Sequence, residues 1–532
     1  MIKKIINLAQ EKMGNIILFS IIFISAVLRF VNLGYSDYQG DEIKALYLPG
    51  EGQSFFQYLM DQRKGPIQFI ITYLLKFINP TYNSQLLMRF LFAAAGVFAV
   101  FFFYEFVKYH FGKKAAFYSS FFFATNGFFI AFSRIVQYQS FVIMFMLGCL
   151  YFLTLAVKEP AYKIKGIYLG LIFGTLSILS HYDGVFIAPF AFYLIYKWFK
   201  EINLSKKQKI THFIIPAVIS VLLLLSFYIP FVITISDATK DYWLGRIQGG
   251  IGGKTSSSRY LFTVYQPIYI IHIYTILFLL GVIFWFISLL INVKKLSSKV
   301  RRYLQGNFLA GFDVTMFFIL IWFGASVIFM EKFVDIPGTH IYTYLVPMCV
   351  VLGWGLILGE RVVTGLFKEK IALFINSIGI GVVFAFIFAQ SYMVFVDNST
   401  EYPWKNEKFL LWTFSKPSPV YHLSMFGFPY YRNWEGVRDF TSRFPDIKAY
   451  STNERKSIAR YFVPLEKSTD EAGFFIFINN PQSFTNDITY EKAEYWSINY
   501  DPVYTFTRNG SALVRIYIME PGTLEEIMEK GH

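Results

Sequence analysis

Three acids stand close together near the start of the chain: Asp37, Asp41 and Glu42. Carboxylates as near as Asp41 and Glu42 repel each other unless a cation, a metal or a hydrogen-bonding substrate compensates them. Cations and further polar groups recur in three later loops. The first loop carries Arg134 and Tyr138, the second the turn His181-Tyr182-Asp183-Gly184, and the third Lys332, His340 and Tyr342. A set of acids, imidazoles and cations suits proton transfer beside an anion. Alone, each has a plainer reading: a solvated acidic loop, an interfacial arginine anchor, or a simple Asp-Gly turn.

The elements that position these groups are apolar runs. Of 532 residues, 55% are apolar and only 16% charged, against about a quarter charged in an ordinary soluble domain. With 62 Phe, this composition excludes a cytosolic enzyme, a disordered chain and a small secreted scaffold. Eleven membrane spans are expected, at 15–33, 84–107, 115–133, 135–157, 166–181, 184–199, 212–236, 266–292, 307–330, 341–359 and 371–396. The apolar segment 66–78 is too short to span and reads as an interfacial helix. Cys149 and Cys349 both lie inside apolar runs and read as buried small hydrophobes.

The net charge of +14 sits in clusters between the runs, including Lys206, Lys207 and Lys209, and Lys294, Lys295, Lys299, Arg301 and Arg302. Such clustering sets membrane orientation and argues against nucleic acid as a partner. It places the N-terminus in the cytoplasm and all the polar loops above on the outer face. Asp313 lies in the inner part of its span, and charges near mid-membrane are otherwise scarce. Beyond 396 the composition turns polar, with strands expected at 447–452, 473–479, 503–508 and 512–518 and a helix at 453–462. The fold expected is an all-α polytopic membrane protein of about eleven transmembrane helices, residues 1–396. A small extracytoplasmic α/β domain, residues 397–532, is expected to guide access to the site.

An N-terminal span followed by a loop with Asp41-Glu42 resembles the GT-C superfamily of integral membrane glycosyltransferases. It is most similar to family 39, the protein O-mannosyltransferase-like enzymes, and to the lipid A aminoarabinose transferases. Ser133-Arg134 at the start of a span and the segment from Lys332 through His340 and Tyr342 to Pro347 carry the same resemblance. It implies transfer of a sugar from a polyprenyl-phosphate donor to a hydroxyl of a protein, lipid or envelope glycan, at the outer face of the cytoplasmic membrane. It implies inversion at the anomeric carbon, with Asp41 as general base and Glu42 orienting a cation or metal in the first outer loop, 34–83. Arg134, Lys332 and His340 would bind the donor phosphate, with Asp37, Tyr138, His181, Asp183 and Tyr342 as accessory groups. No metal is required by this resemblance; more distant oligosaccharyltransferases supply the alternative of a divalent ion. Relatives place an acid a few positions after the arginine, where this chain has Gln139.

Two other readings compete. An O-antigen ligase or polymerase also uses polyprenyl-linked sugars, but depends on an arginine-rich late loop that is not found here. A transporter or flippase of lipid-linked sugars would carry intramembrane charges or paired broken helices.

Overall fold

The computed structural model describes residues 2–248, 274–281, 314–335, 337–399, 401, 408–409, 412–413, 426–482 and 490–529. Asp313, the basic cluster Lys294 to Arg302, and all of the expected span 266–292 except 274–281 lie outside the described residues. Helix α1 spans Ile2–Phe30, and the loop after it contains three short helices: α2 (Gly40–Ile43), α3 (Phe55–Met60) and α4 (Ile67–Lys76). The bundle continues with α5 (Gln85–Thr125), α6 (Gly127–Ser133), α7 (Gln139–Lys158), α8 (Lys165–Ser180), α9 (Ala188–Glu201), α10 (Lys206–Thr234) and α11 (Asp237–Gln248). It closes with α12 (Val314–Lys332), α13 (Tyr342–Leu366) and α14 (Glu369–Phe395).

Among the described residues six helices are long and apolar enough to cross a membrane: Gln85–Thr125, Gln139–Lys158, Lys206–Thr234, Val314–Lys332, Gly338–Leu366 and Glu369–Phe395. The protein is therefore an integral membrane protein. Helix α5 is two helices joined at Gly112, whose φ of 87° is open to glycine at no steric cost. Phe103 and Phe123 stack at 4.6 Å across that break, so the chain doubles back as a hairpin. The single span expected at 115–133 is interrupted at Asn126, whose side chain accepts the Phe128 N–H and starts the buried helix α6. The span expected to begin at 135 begins at Gln139, leaving Arg134 to Tyr138 as a corner.

The C-terminal part forms a five-stranded mixed sheet. After the two-residue pair β1 (Lys408–Phe409) and β2 (Trp412–Thr413) come β3 (Ala449–Thr452), β4 (Glu466–Lys467), β5 (Phe474–Ile478), β6 (Tyr504–Arg508) and β7 (Ser511–Ile518). The order is β4-β3-β5-β7-β6, parallel around β3 and antiparallel between β5, β7 and β6. Strand β5 is buried on both faces, as its unbroken Phe-Phe-Ile-Phe-Ile run requires. Helices α15 (Trp434–Thr441), α16 (Lys456–Phe462), α17 (Tyr490–Asn499) and α18 (Thr523–Glu529) complete this part. The expected strands and the helix near 453–462 are all present; α15, α17 and α18 were not foreseen.

The sheet does not hang free of the bundle. Tyr38, Leu46, Met88 and Phe92 share one apolar core with Trp434, Phe462, Phe474 and Ile476. The first loop is thus a layer between helices and sheet, and a Cβ on Gly40 would meet Ser457 Oγ at 2.6 Å and Arg455 Cδ at 2.8 Å.

Glu42, fully buried, ties this layer down. Its carboxylate accepts Arg89 Nε at 2.8 Å and Nη2 at 2.7 Å, the Val136 N–H at 2.9 Å and the Gln39 N–H at 2.8 Å. Removing one member of such a pair strands the other charge in the interior. Arg89→Leu should cost about 3–5 kcal/mol, and Glu42→Leu added to it should recover part of that loss. Thermal unfolding in detergent measures both; an unchanged Arg89→Leu chain would refute the buried pair.

Candidate active site

Asp41 and Glu42 are neighbours on a helix of four residues, where consecutive side chains diverge by about 100°. Glu42 turns inward and Asp41 turns outward among polar groups, its side chain 31% exposed. Gln39 caps the helix: its side chain accepts the Asp41 N–H at 2.7 Å while its own N–H bonds Glu42. The Asp41 carboxylate accepts from Arg455 Nη2 at 2.9 Å and pairs with Lys44 at 3.5 Å. Desolvation would raise the Asp41 pKa, but Arg455, Lys44 and Lys64 outweigh it and hold the group below the usual carboxylate range.

Lys64 is joined to Asp41 through Gln137. Its Nζ donates to Gln137 Oε1 at 2.9 Å and lies 4.8 Å from the centre of the Tyr138 ring, while Gln137 donates to the Asp41 carbonyl. Gly65 presses this turn against the end of α8; a Cβ there would lie 2.0 Å from the Leu179 carbonyl oxygen. Burial pushes the Lys64 amine down to about 8, with Asp41 pulling it back up and Lys44 and Arg246 adding to the fall.

The cluster continues beneath Tyr138, whose ring stacks on His181 at 4.2 Å. Asp183 Oδ2 accepts His340 Nδ1 and the Tyr342 hydroxyl, each at 2.7 Å, and lies 3.2 Å from His181 Nδ1. Burial pushes the His181 imidazole down to about 4, against the pull of Asp183. Desolvation would raise Asp183, but the two imidazoles hold its carboxyl below the carboxylate range.

The remaining expected residues lie elsewhere. Arg134 donates from Nη1 to the carbonyls of Leu28, Arg29 and Val31, closing the C-terminal end of α1. It also lines a partly open cavity with Asp37, Arg89, Phe428, Tyr430 and Gln482. Asp37 is buried and accepts the Arg432 N–H, and burial pushes its carboxyl up to about 7 despite that bond. Lys332 ends α12 with an exposed side chain and has no hydrogen bond or ion pair among the described residues. Gln139, where relatives carry an acid, reaches Thr339 at 3.4 Å.

Sequence reasoning missed Lys64, Arg89, Gln137 and Arg455 as members of this assembly. The Lys64-Gly65-Pro66 turn just before an apolar helix was the signal for the first. Nothing local marks Arg455, which is 414 residues from Asp41 in the chain.

The burial of Lys64 has a direct readout. Competitive acylation across pH should show Lys64 titrating near 8, and Asp41→Asn should lower that value further by removing the charge that raises it. A Lys64 that titrates near the ordinary lysine value of about 10.4 would contradict this environment.

Residues 66–233 match the family model described as dolichyl-phosphate-mannose-protein mannosyltransferase, a stretch that includes Tyr138, His181 and Asp183 but not Asp41. ArnT from Cupriavidus metallidurans bound to undecaprenyl phosphate aligns over 96% of this chain and 98% of its own, at 11% identity and a TM-score of 0.45. The oligosaccharyltransferase AglB from Archaeoglobus fulgidus, in complex with an inhibitory peptide and a dolichol-phosphate, aligns over 88% and 70%, at 12% identity and a TM-score of 0.47. The S. cerevisiae protein O-mannosyltransferase Pmt1-Pmt2 complex bound to the sugar donor aligns over 41% and 33%, at 14% identity and a TM-score of 0.31. No curated protein matches this chain. The resemblance to the GT-C membrane glycosyltransferases of family 39 expected from the sequence is borne out over residues 66–233.

Proposed function

We propose that the protein transfers a hexose or pentose from a polyprenyl-phosphate donor to an acceptor hydroxyl, at the extracytoplasmic end of its helix bundle. The observation that carries this reading is that Gln137 links Asp41 and Lys64, accepting from the amine and donating to the Asp41 carbonyl. A partly exposed carboxylate kept ionised by its neighbours thus lies near a half-buried amine whose charge acts on it. The apolar helix surfaces suit a polyprenyl tail. The C-terminal part reaches Asp41 through Arg455 at the start of α16, and a protein, lipid or glycan acceptor would enter there.

In this reading Asp41 takes the proton of the acceptor hydroxyl as its oxygen attacks the anomeric carbon from the side opposite the phosphate. The bond from that carbon to the phosphate oxygen breaks, and the configuration inverts. The departing polyprenyl phosphate gains negative charge, which Lys64 neutralises with Arg246 nearby. Arg455 holds Asp41 in place until an acceptor enters. Glu42 acts at one remove, fixing the helix on which Asp41 stands.

Asp41→Asn should lower transfer by roughly 10²–10⁴-fold while donor binding persists. Radiolabelled sugar transfer and binding of polyprenyl phosphate measure the two separately; near-normal transfer by Asp41→Asn would refute the assignment.

The pH dependence follows with its sign. Lys64 is charged below about 8 and neutral above, so donor affinity should weaken as pH rises through that value. Lys64→Arg should bind with no such loss, because arginine stays charged. An identical alkaline decline in Lys64→Arg would remove Lys64 from the phosphate site.

A further inference from the structure

We propose that His181, Asp183 and His340 form a site for a divalent cation of the zinc class, next to the proposed sugar-transfer site and independent of that reading. The three residues bring one imidazole nitrogen from each histidine and an Asp183 carboxylate oxygen within 4.8 Å of one another. They come from two places in the chain: the corner between α8 and α9, and the turn before α13.

Their hydrogen bonding is incomplete as it stands. His181 Nδ1 accepts the Asp183 N–H at 3.2 Å, so it presents a lone pair, yet it also lies 3.2 Å from Asp183 Oδ2. Two acceptors then face each other. Protonating that nitrogen would instead oppose it to the Asp183 N–H, so neither tautomer satisfies both contacts. Asp183 Oδ1 is buried and has no hydrogen-bond partner among the described residues. An unpartnered carboxylate oxygen in an interior is costly, and a cation beside it removes the cost.

The geometry suits a small tetrahedral ion. Zinc at about 2.0–2.2 Å from each donor separates donor atoms by roughly 3.3–3.5 Å. The His181 contact of 3.2 Å is close to that already, and the His340 contact of 2.7 Å needs to open by a few tenths of an ångström. Two imidazoles and one carboxylate favour zinc over magnesium or calcium, which prefer oxygen alone. Tyr342 bonds Asp183 Oδ2 at 2.7 Å, the kind of outer partner that fixes a ligating carboxylate. His340 is 14% exposed, which leaves a path for the ion and a side open to a fourth ligand. The ion would fasten together two segments 157 residues apart, directly under the Tyr138 ring on which Lys64 rests.

The test uses the full chain in detergent, stripped by chelator and dialysed against buffered Zn²⁺, with metal counted by mass spectrometry and folding checked by gel filtration. About one zinc per chain is expected, with Asp183→Asn and His340→Gln weakening binding at least tenfold and Tyr342→Phe about 10–100-fold. Zinc absent at that stoichiometry, or bound equally by a folded His340→Gln chain, would overturn the proposal. If His340→Gln fails to fold, His340→Cys decides the question with Co²⁺. A thiolate-to-cobalt charge-transfer band supports the site, and a folded, cobalt-treated His340→Cys chain without it refutes the site.

Discussion

The candidate site depends on one buried carboxylate. Glu42 binds Arg89 from α5, the Val136 N–H from the corner between α6 and α7, and the Gln39 N–H of its own loop. Arg89 extends the same hold to the carbonyls of Leu33, Ser36 and Asp37. Three segments distant in sequence are thereby fixed against one another in a medium where an unpaired charge is unaffordable. Asp41, one residue away, inherits a fixed position without being consumed by the packing.

The same economy explains how the two halves of the molecule meet. The C-terminal sheet contributes an apolar face to the core beneath the first loop, and the start of α16 adds a cation, Arg455, beside Asp41. A second contact, Arg432 with Glu401 at 2.7 Å and with Asp37 through its backbone, anchors the same loop from the other side. The C-terminal part thereby sets Arg455 directly against the Asp41 carboxylate. Lys64 is placed by different means, a glycine that lets its turn lie flat on the end of α8.

The sequence made the helices legible because apolar runs of that length have few other uses, and it located the polar loops because charge is so scarce within the runs. The His181-Asp183 turn and the His340 segment were visible as separate features; that they meet was not, since 157 residues intervene. Asp41-Glu42 read as one acidic pair, and the structure divides it, because one turn of helix sends adjacent side chains in different directions. Arg134 was expected as an interfacial anchor or a ligand of the donor phosphate, but its Nη1 is used to cap α1. The break at Asn126 was hidden because the residues on both sides of it are equally apolar. Arg455 had no local mark at all, for its role exists only once the start of α16 has docked on Gly40.

The central claim is that the phosphate of a polyprenyl donor lies between Lys64 and Asp41. A cryo-electron microscopy structure of the chain with a non-hydrolysable polyprenyl-phosphate sugar tests it most directly. The account predicts phosphate density within hydrogen-bond distance of Lys64 Nζ, with the anomeric carbon turned towards Asp41. Phosphate density in the cavity beside Arg134 and Arg89, with Lys64 still bound only to Gln137, would contradict it.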